Sequence, residues 1–506
     1  MTGSKKILPI EDLAKILEKR GNKKVVLCHG VFDLLHIGHI RYFEQAKQAG
    51  DILVVTLTPD TFVDKGPQRP AFNEDLRAEG LASLQVVDYV AVNEWKTAEA
   101  TIRTLRPDFY AKGAEFKDGE DNRVGKIGPE MVVVEEIGAK MLFTEDIVFS
   151  SSNLINRFLS GMSHEQQEYM HLFRSRHTFQ DIETVLDDMS NLKVLVIGDA
   201  IMDEYNYGEA MGKSSKEPVL ALKFESTDMF AGGVIAVANH VAGFAGKVDL
   251  ACVLGEHDSH EEIIRKTLAE SVTPRFFYQK DAPTIVKRRF IDTPSLNKLL
   301  EIYVMDDTGL DPQSDELFRQ SIEESLAEYD LVIMADYGHG AISQAMADML
   351  SEHAPYLAVN TQANAGNRGF HTISRYNTAD FISLASHEFQ LEFRGSRRQF
   401  RRDMDTLGSK LKSEIIVVTG GQTGCTVWDK HGEFARVPAF STKAVDRVGA
   451  GDAFLSVAAL AAKLDVDREM LGFLGNIAGA LAVRVVGNEK SIGKERVEKF
   501  ATALMK

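Results

Sequence analysis

Two histidines, His36 and His39, stand three residues apart just after a run of strand-forming residues and a glycine-containing turn. A helical pattern follows them, so both fall at a helix N-terminus, where unpaired backbone N–H groups favour anions. Imidazole N–H groups in that first turn can donate hydrogen bonds to a phosphoryl group as negative charge develops on it. Gly38 lets a phosphate or a base approach the backbone closely. The alternative is two surface histidines beside a turn. The full pattern G-x-F-D-x-x-H-x-G-H favours nucleotide chemistry and adds three candidate binding residues, Gly30, Phe32 and Asp33.

A second group of small residues, Gly449, Ala450 and Gly451, precedes Asp452 and a strongly apolar helical run. Small residues at a helix start expose successive backbone N–H groups, which can cradle a phosphoryl group in transfer. An aspartate beyond that cradle can take a proton from an attacking hydroxyl, a role worth roughly 10²–10⁴-fold in rate. The alternative is an ordinary glycine turn with an aspartate in the first turn of its helix.

The elements that must position these residues alternate between β-runs and helical segments in both halves of the chain, which predicts an α/β fold with parallel sheets. We expect residues 1–158 to form a doubly wound, Rossmann-like domain with its site at the strand carboxyl ends. Residues 159–190 predict a helical connector, whose apolar stripe serves domain packing or a dimer contact. Residues 191–506 predict a larger α/β domain with a small β-lid from 208–228 and 282–305.

Four further segments follow the histidine motif: K-G-P-Q-R-P from Lys65, a helix opening with Arg77, P-D-F-Y-A-K-G from Pro107, and F-S-S-S-N-L-I from Phe149. On these segments, residues 24–158 resemble the cytidylyltransferase-like branch of the nucleotidyltransferase superfamily. The resemblance implies that a phosphate ester is joined to a nucleoside monophosphate with release of pyrophosphate. It implies catalytic roles for His36, His39 and Lys65, and nucleotide or phosphate contacts by Gly30, Phe32, Asp33, Gly38, Arg69, Arg77, Lys112, Ser150, Ser151 and Ser152.

The second half carries nine ordered segments, among them V-L-V-I-G-D-A-I-M-D-E-Y from Val194, T-I-V-K-R-R from Thr284 and V-T-G-G from Val418. On these segments, residues 191–506 resemble the ribokinase-like (PfkB) sugar kinases, and most of all the kinase half of bifunctional heptose 7-phosphate kinase/heptose 1-phosphate adenylyltransferases. The resemblance implies the following residue roles. Asp452 is the base; the sugar substrate contacts Asp203, Gly232, Gly233, Lys287 and Arg289; the nucleotide contacts Thr419, Gly421, Gly449, Ala450, Gly451 and Asn476; and Glu388 organises the metal.

Four positions depart from the motifs of the ribokinase-like family. Ala236 and Ala385 stand where the family has asparagines, Glu301 replaces a positive charge, and His339 replaces a lysine. Loss of one polar contact typically costs about 1–3 kcal/mol. Two explanations stay open: the kinase uses an altered acceptor with rearranged metal contacts, or it has lost catalysis and kept the fold. The intact Asp452 and its glycine cradle favour an active kinase.

Composition limits the classes of function. A chain of 506 residues is too long for one core, and a net charge of −16 argues against nucleic acid as a partner. Three cysteines far apart in the chain predict a reducing cytoplasm rather than disulfides or a zinc site. The charged first thirty residues predict no signal peptide, and the absence of a long apolar run predicts no membrane span.

Together the two halves predict a bifunctional enzyme. The kinase makes a sugar 1-phosphate, and the first domain activates it to an ADP- or CDP-linked, heptose-like sugar for surface polysaccharides. The implied cofactors are Mg²⁺ and ATP, with ATP or CTP as nucleotidyl donor, and the lid implies a homodimer. The bifunctional heptose enzymes carry the kinase first, whereas here the nucleotidyltransferase comes first. Two alternatives remain: a nucleotidyltransferase with a regulatory or structural pseudokinase, and a non-catalytic nucleotide sensor.

Overall fold

A computed structural model describes residues 5–63, 70–113, 128–144, 162–306, 308–393, 399–441 and 444–505. The chain divides into two compact units, Met1–Gly161 and Met162–Met505. Lys65, Arg69, Ser150, Ser151 and Ser152 lie outside the described residues, so the structure describes no contact for them. Each unit is described separately below.

The first unit is built on a five-stranded parallel sheet in the order β3-β2-β1-β4-β5. Successive residues of β1 face opposite sides of the sheet, and Val26 and Cys28 join one apolar core while Val25 and Leu27 join the other. Burial on both faces explains why this strand is a continuous apolar run. The described elements of the unit are α1 (Ile10–Glu18), β1 (Val25–Gly30), α2 (Ile37–Gln48), β2 (Ile52–Leu57), α3 (Glu74–Ala82), β3 (Tyr89–Val92), α4 (Glu99–Leu105), β4 (Phe109–Lys112), α5 (Gly128–Glu136) and β5 (Lys140–Phe143).

The strand order of this sheet reverses at β1, which pairs with β2 on one side and β4 on the other. In doubly wound sheets, ligands bind outside the carboxyl ends of the strands at such a switch point. The turn after β1, which contains the histidine motif, starts at that position. The doubly wound fold predicted for this half of the sequence is confirmed.

The second unit is built on a twelve-stranded mixed sheet, whose main path runs β11-β10-β6-β12-β13-β14-β15-β16-β17. Its strands are β6 (Lys193–Lys213), β7 (Leu220–Gly233), β8 (Lys247–His257), β9 (Val272–Pro283), β10 (Ile285–Asp292), β11 (Asn297–Val304), β12 (Leu331–Asp336), β13 (Leu357–Thr361), β14 (Phe381–Ala385), β15 (Ile415–Thr419), β16 (Cys425–Asp429) and β17 (Phe434–Val437). Apolar residues on both faces of the central strands form two large cores.

Strand β6 is 21 residues long and takes part in two different pairings. Up to Asp199 it pairs in parallel with β8 in the central sheet, and from Ala200 onward it pairs antiparallel with β7. We call the second half of β6 together with β7, β10 and β11 the lid sheet. The sequence predicts the lid from 208–228 and 282–305; the structure carries it on a strand that begins in the core.

Helices pack on both faces of the central sheet of the second unit. The bounds of these helices are α6 (His164–Arg176), α7 (Phe179–Asp188), α8 (Val234–Ala242), α9 (Glu261–Thr267), α10 (Pro312–Glu323), α11 (Gln344–His353), α12 (Ser386–Phe393), α13 (Phe400–Leu411), α14 (Ala450–Lys463), α15 (Arg468–Ala482) and α16 (Lys494–Met505). Helix α14 is apolar almost all round and is buried along most of its length, as its composition requires.

The segment that the sequence predicts as a connector contains α6 and α7, and both belong to the second unit. Each begins with a capping box, Ser163 with Gln166 and Thr178 with Asp181. The buried face of α6 joins the core of this unit, where the ring of Phe173 stacks on that of Phe473 with 4.2 Å between centroids. Its apolar stripe therefore serves domain packing. Among the described helices, none is both long enough and apolar enough to cross a membrane.

Candidate active sites

The histidine site lies where β1 ends and α2 begins. His36 is the N-cap residue of α2, and its Nδ1 accepts a hydrogen bond of 3.1 Å from the backbone N–H of Gly38. The rings of His36 and His39 stack with 3.9 Å between centroids. Phe32, at a positive φ of 46°, places its ring edge-on to His39 at 5.3 Å. Partial burial lowers the pKa of His36 below its ordinary value, so its neutral form predominates at neutral pH.

Two glycines of the motif make close contacts in this arrangement. A Cβ on Gly30 would meet the ring of Phe32 at 3.0 Å, so glycine lets the aromatic ring lie against the strand end without being displaced. Gly38 gives its backbone N–H to His36, which keeps that imidazole at the helix start. The helix start therefore presents two imidazoles together with backbone donors, a combination suited to a phosphate chain.

Asp33 and Arg77, both predicted to bind nucleotide or phosphate, make structural contacts in the described residues. Asp33 is 3% exposed and accepts hydrogen bonds from the backbone N–H groups of Ala71 and Phe72, at 2.7 and 3.2 Å. Arg77 is also 3% exposed, and its guanidinium donates to the carbonyl oxygens of Val31, Thr58 and Phe72 and to the carboxylate of Asp60. Arg77 therefore holds the turn after β1 through the carbonyl oxygen of Val31, and the phosphate contact that the resemblance implies for it stays a prediction.

Lys112, another predicted nucleotide contact, is also engaged within the protein. Its Nζ lies 2.9 Å from the Glu130 carboxylate, and both side chains are largely buried. The ammonium also lies 5.0 Å from the centre of the Tyr110 ring. The nucleotide contact that the resemblance implies for Lys112 stays a prediction. Of the described candidates in the first unit, the two histidines are the best placed for chemistry.

In the second unit, Asp452 lies in the first turn of α14, directly after its glycine cradle. Gly449 is the N-cap residue with φ 81°, a conformation that other residues rarely adopt. The Asp452 carboxylate accepts a 2.7 Å hydrogen bond from the hydroxyl of Tyr337. Burial raises its pKa to about 6, and the Asp203 carboxylate adds to this rise. The group is therefore ionised at neutral pH with a pKa close to it, which suits a general base.

The backbone at Gly451 faces open space within the described residues, since a Cβ built there meets no heavy atom within 4 Å. A phosphoryl group could therefore approach the N–H groups at the start of α14 without displacing side chains. Those N–H groups and the positive end of the helix dipole would stabilise charge on that group.

The Asp203 pocket is formed by neighbouring strands of the lid sheet. Asp203 on β6 is in register with Lys287 on β10, and Arg289 follows two residues later on the same face. Asp203 and Arg289 are both nearly buried and form a close ion pair. A Cβ on Gly232 would lie 2.2 Å from Asp203 Oδ2, so only glycine fits beside this carboxylate. Gly233, with φ 56°, then begins the turn into α8.

Lys287 is 6% exposed, and its Nζ lies over the rings of Tyr303 and Tyr337, at 5.4 and 5.9 Å from their centres. Burial lowers its pKa, while the nearby Asp203 carboxylate opposes that change. The pocket thus joins a carboxylate, which can hold a hydroxyl, to a buried ammonium and a guanidinium, which can hold an anion.

Three of the four motif departures have local explanations. The carboxylate of Glu301 accepts a 2.7 Å hydrogen bond from Arg289 Nε, so the reversed charge is paired within the pocket. His339 is 2% exposed, and burial together with the Lys287 charge lowers its pKa to about 3, so it is neutral. Ala236 is buried in α8 among apolar neighbours.

A cavity of about 490 Å³ beside the glycine cradle corresponds to the predicted nucleotide side. Its lining includes Thr419, Gly421, Ala450, Gly451, Phe454 and Asn476. The Asn476 side chain donates to the carbonyl oxygens of Val437 and Pro438, at 3.1 and 3.2 Å. Asn476 therefore fixes the end of β17 against α15. The surface that this cavity presents to a ligand is mainly apolar.

A larger adjoining cavity, of about 1160 Å³, contains both Glu388 and Asp452. The two carboxylate oxygens of Glu388 accept from the backbone N–H groups of Ala385 and Ala363, at 2.7 and 3.1 Å. Burial raises the pKa of Glu388 to about 7. Ala385 contributes no side-chain ligand there. One buried carboxylate among oxygen-bearing side chains such as Asn360 would suit Mg²⁺, which prefers oxygen ligands.

Two residues of the D-R-V-G-A-G-D segment were not assigned from the sequence. Arg447 is exposed and lines both cavities, so its guanidinium can reach a phosphate chain that runs between them. Asp446 accepts from Tyr205 and Lys298, at 2.5 and 2.7 Å, and from the backbone N–H of Gly487 at 3.0 Å. Charged residues beside a glycine cradle were the signal that could have singled out both.

Comparisons with known proteins match the two halves of the chain to two different families. Residues 27–157 match the family model described as cytidylyltransferase-like, and residues 191–494 match the one described as pfkB family carbohydrate kinase. The "Bifunctional protein HldE" of Helicobacter pylori strain G27 is 47% identical over 117 residues, which is 23% of this chain and 25% of the relative. That of Geobacter metallireducens is 36% identical over 168 residues, 32% of each chain. The matches thus span about a quarter to a third of the length of these relatives.

Among solved structures, the potassium complex of phosphofructokinase-2 from Escherichia coli has a TM-score of 0.52 and 15% identity, over 63% of this chain and all of the other. Its tetrameric inhibited form has a TM-score of 0.51 and 14% identity, over 62% of this chain and all of the other. At this identity the likeness shows the fold alone. The family match covers more than half of the chain, and it agrees with the Asp452 loop and with the fold. The chain therefore belongs to the pfkB family of carbohydrate kinases, with a cytidylyltransferase-like domain preceding its kinase domain.

Proposed function

We propose that the chain is a bifunctional transferase. Its kinase domain transfers a phosphoryl group to O1 of a sugar or sugar phosphate, and its first domain couples a sugar 1-phosphate to a nucleotide. Where the acceptor already carries a phosphate, the kinase product is a bisphosphate, and that other phosphate must be hydrolysed before the second step. The observation that carries this proposal is the placement of Asp452, a carboxylate with a pKa of about 6 beside an open cradle of backbone N–H groups. The sequence matches to bifunctional HldE proteins support the pairing of two activities in one chain.

In the kinase step, the Asp452 carboxylate takes the proton of an acceptor hydroxyl. The hydroxyl oxygen forms a bond to the γ-phosphorus of ATP, the bond from that phosphorus to the bridging oxygen breaks, and ADP leaves. Asp203 holds acceptor hydroxyls, and Lys287 and Arg289 attract a phosphate already on the acceptor. Glu388 would hold Mg²⁺, which would supply positive charge to neutralise the phosphates.

In the nucleotidyl step, an oxygen of the sugar 1-phosphate attacks the α-phosphorus of a nucleoside triphosphate, and pyrophosphate leaves. The stacked imidazoles of His36 and His39 donate to oxygens on which negative charge develops. Lys65 and Arg69 are proposed to clamp phosphates, and the hydroxyls of Ser150, Ser151 and Ser152 are proposed to hold phosphate. The donor is ATP or CTP, so the product is an ADP- or CDP-linked sugar.

We further propose a heptose-like acceptor, on the resemblance of the kinase half to bifunctional heptose enzymes, and a role in making surface-polysaccharide precursors. Three free cysteines, Cys28, Cys252 and Cys425, are buried, which supports a reducing, cytoplasmic setting. A second copy of the chain is the proposed partner of the lid sheet. Its outer residues Phe224, Leu300 and Ile302 are 63%, 56% and 41% exposed.

A second candidate function is a nucleotidyltransferase with a regulatory pseudokinase. The observation that favours it is Ala385, which leaves Glu388 without a side-chain neighbour from the motif. The two functions differ in whether ADP forms in the presence of a sugar phosphate.

One experiment separates the two functions. The full chain is incubated with Mg²⁺, with ATP or CTP, and with heptose 7-phosphate or heptose 1-phosphate, while ADP and pyrophosphate are measured separately. We expect ADP from heptose 7-phosphate and pyrophosphate from heptose 1-phosphate. Formation of pyrophosphate without ADP supports the pseudokinase. If neither product forms, both candidate functions are contradicted for these substrates.

A further inference from the structure

Asn488 lies in the loop between α15 and α16, between two glycines that belong to different parts of the kinase site. A Cβ built on Gly449, in the phosphate cradle, would lie 2.2 Å from Asn488 Oδ1. A Cβ built on Gly232, in the Asp203 pocket, would lie 3.4 Å from Asn488 Nδ2. The amide therefore occupies the space between the cradle and the pocket, and its oxygen is a second reason why position 449 is glycine.

The amide nitrogen of Asn488 is buried and has no hydrogen-bond partner among the described residues. A buried donor without a partner costs about 1–3 kcal/mol, so such groups in native proteins usually have a function. The oxygen of the same side chain is turned toward Gly449, which leaves the nitrogen on the Asp203 side. A ligand atom in the pocket would supply the missing acceptor.

The position of Asn488 is fixed by its neighbour in the chain. The backbone N–H of Gly487 donates a 3.0 Å hydrogen bond to Asp446, the carboxylate that also accepts from Tyr205 and from Lys298 of the lid sheet. Gly487 has φ 54°, and a Cβ there would meet the ring of Phe230 at 2.8 Å. The loop is thus held against both the cradle and the lid sheet, and its amide is placed before any ligand arrives.

The other group at the same point is Asp203. Its Oδ1 is paired with Arg289, and its Oδ2 is the atom nearest to the Cβ position of Gly232. An acceptor-type oxygen and a donor-type N–H thus face one region of the pocket. A sugar hydroxyl can donate to the first and accept from the second, as two neighbouring hydroxyls of a sugar ring also can.

We propose that Asn488 binds the substrate that accepts the phosphoryl group. Its Nδ2–H donates a hydrogen bond to a hydroxyl of that substrate, and Asp203 contacts the same hydroxyl. This contact lies next to the cradle that receives the phosphoryl group. This proposal rests on the proposed kinase function. It assigns selectivity for a hydroxylated acceptor partly to a residue that comes after the cradle in the chain and outside every segment that the sequence singled out.

The test uses the full chain with Mg·ATP and heptose 7-phosphate, with fructose 6-phosphate as a second probe, and follows ADP release. The variants are Asn488→Ala, which removes the amide, and Asn488→Asp, which keeps its shape and replaces the donor by an acceptor. Lys490→Ala, at an exposed position in the same loop, is the matched control.

We expect Asn488→Ala to raise the KM for the acceptor about tenfold. We expect Asn488→Asp to raise it further, because its carboxylate faces Asp203. The KM for ATP should stay within about twofold of wild type in both, and Lys490→Ala should match wild type throughout. An acceptor KM unchanged in both Asn488 variants would overturn the proposal while leaving the kinase function intact.

Thermal unfolding of each variant separates binding from stability. If Asn488→Ala does not fold, Asn488→Asp decides the question; loss of the fold in both assigns Asn488 to stability and overturns the proposal. If wild type transfers no phosphoryl group to either probe, the kinase function fails for these acceptors. Calorimetric binding of the same two probes then decides, and equal affinity of wild type and Asn488→Ala, or no binding to wild type, overturns the role of Asn488.

Discussion

The two units each place a glycine-containing turn at a helix N-terminus, but they use the charged residues around that turn in different ways. In the first unit, Asp33, Arg77 and Lys112 are buried and bound to other parts of the protein. In the second unit, Asp203 and Asp452 face a shared region beside open backbone. Proximity to a motif therefore does not make a charged residue a ligand contact; its partners decide.

The difference has a physical basis in how each turn is supported. The turn after β1 continues into a loop, and the buried guanidinium of Arg77 donates to the carbonyl oxygens of Val31 in that loop and of Thr58 after β2. The cradle before α14 is held from outside by Asp446, which accepts from side chains and from the backbone. The cradle's own N–H groups can then be used for a ligand.

The largest effect that we expect comes from Asp452→Asn. The substitution keeps the shape of the side chain and removes the base, so kcat for ADP formation should fall by roughly 10²–10⁴. ATP affinity measured by calorimetry should be preserved, and pyrophosphate release by the first unit should not change. Substantial ADP formation by this variant would show that phosphoryl transfer at the cradle does not need the Asp452 carboxylate. The charged residues around the two turns would then no longer differ in their use.

The next largest effect is expected in the first unit, from His39→Ala. Loss of one transition-state donor should lower kcat for pyrophosphate release by roughly 10²–10³. The helix start has other donors, so thermal unfolding should change little, and ADP formation is the internal control. Turnover close to that of wild type would contradict the role assigned to the stacked histidines.

Arg77→Met sharpens the comparison because it tests stability instead of turnover. Removal of a buried cation that binds three carbonyl groups and Asp60 should lower the free energy of unfolding of the first unit by about 3 kcal/mol. Chemical denaturation followed by a probe in that unit measures this loss. Arg103→Met, at a half-exposed ion pair on α4, is the control and should leave the free energy of unfolding nearly unchanged. A stable Arg77→Met protein with weakened triphosphate binding would restore the ligand role predicted from the sequence.

The smallest effect is a pH profile that differs between the two activities. Asp452 must be ionised to accept a proton and has a pKa of about 6, so kcat for ADP formation should fall about tenfold per pH unit below pH 6. Protonation of Glu388, with a pKa of about 7, should raise the Mg²⁺ requirement as the pH falls from 8 to 6. A flat profile between pH 5 and 7 would contradict the assignment of Asp452 as base.

The sequence predicts the folds well because apolar runs and turns are local signals. The strand before His36 and the helix after Asp452 both follow from neighbouring residues. The partners of Arg77 are separated from it along the chain and could not be read from spacing, since a charge near a motif fits either role. Asn488 belongs to no motif that the sequence singles out. Its proposed role depends on where the loop after α15 lies in the folded protein. The packing of α6 and α7 against the second core likewise depends on contacts distant in the chain, which local helical spacing does not reveal.

Strand β6 belongs to two structures at once, since its first residues lie in the central sheet and its last residues in the lid sheet. Asp203 lies just past the crossover, so the twist of a single backbone sets both the curvature of the lid and the direction of this carboxylate. Substitutions on the outer face of the lid can therefore alter which sugar is chosen without touching it. The choice of acceptor by the proposed kinase thus depends on the backbone path of β6 as well as on side-chain contacts.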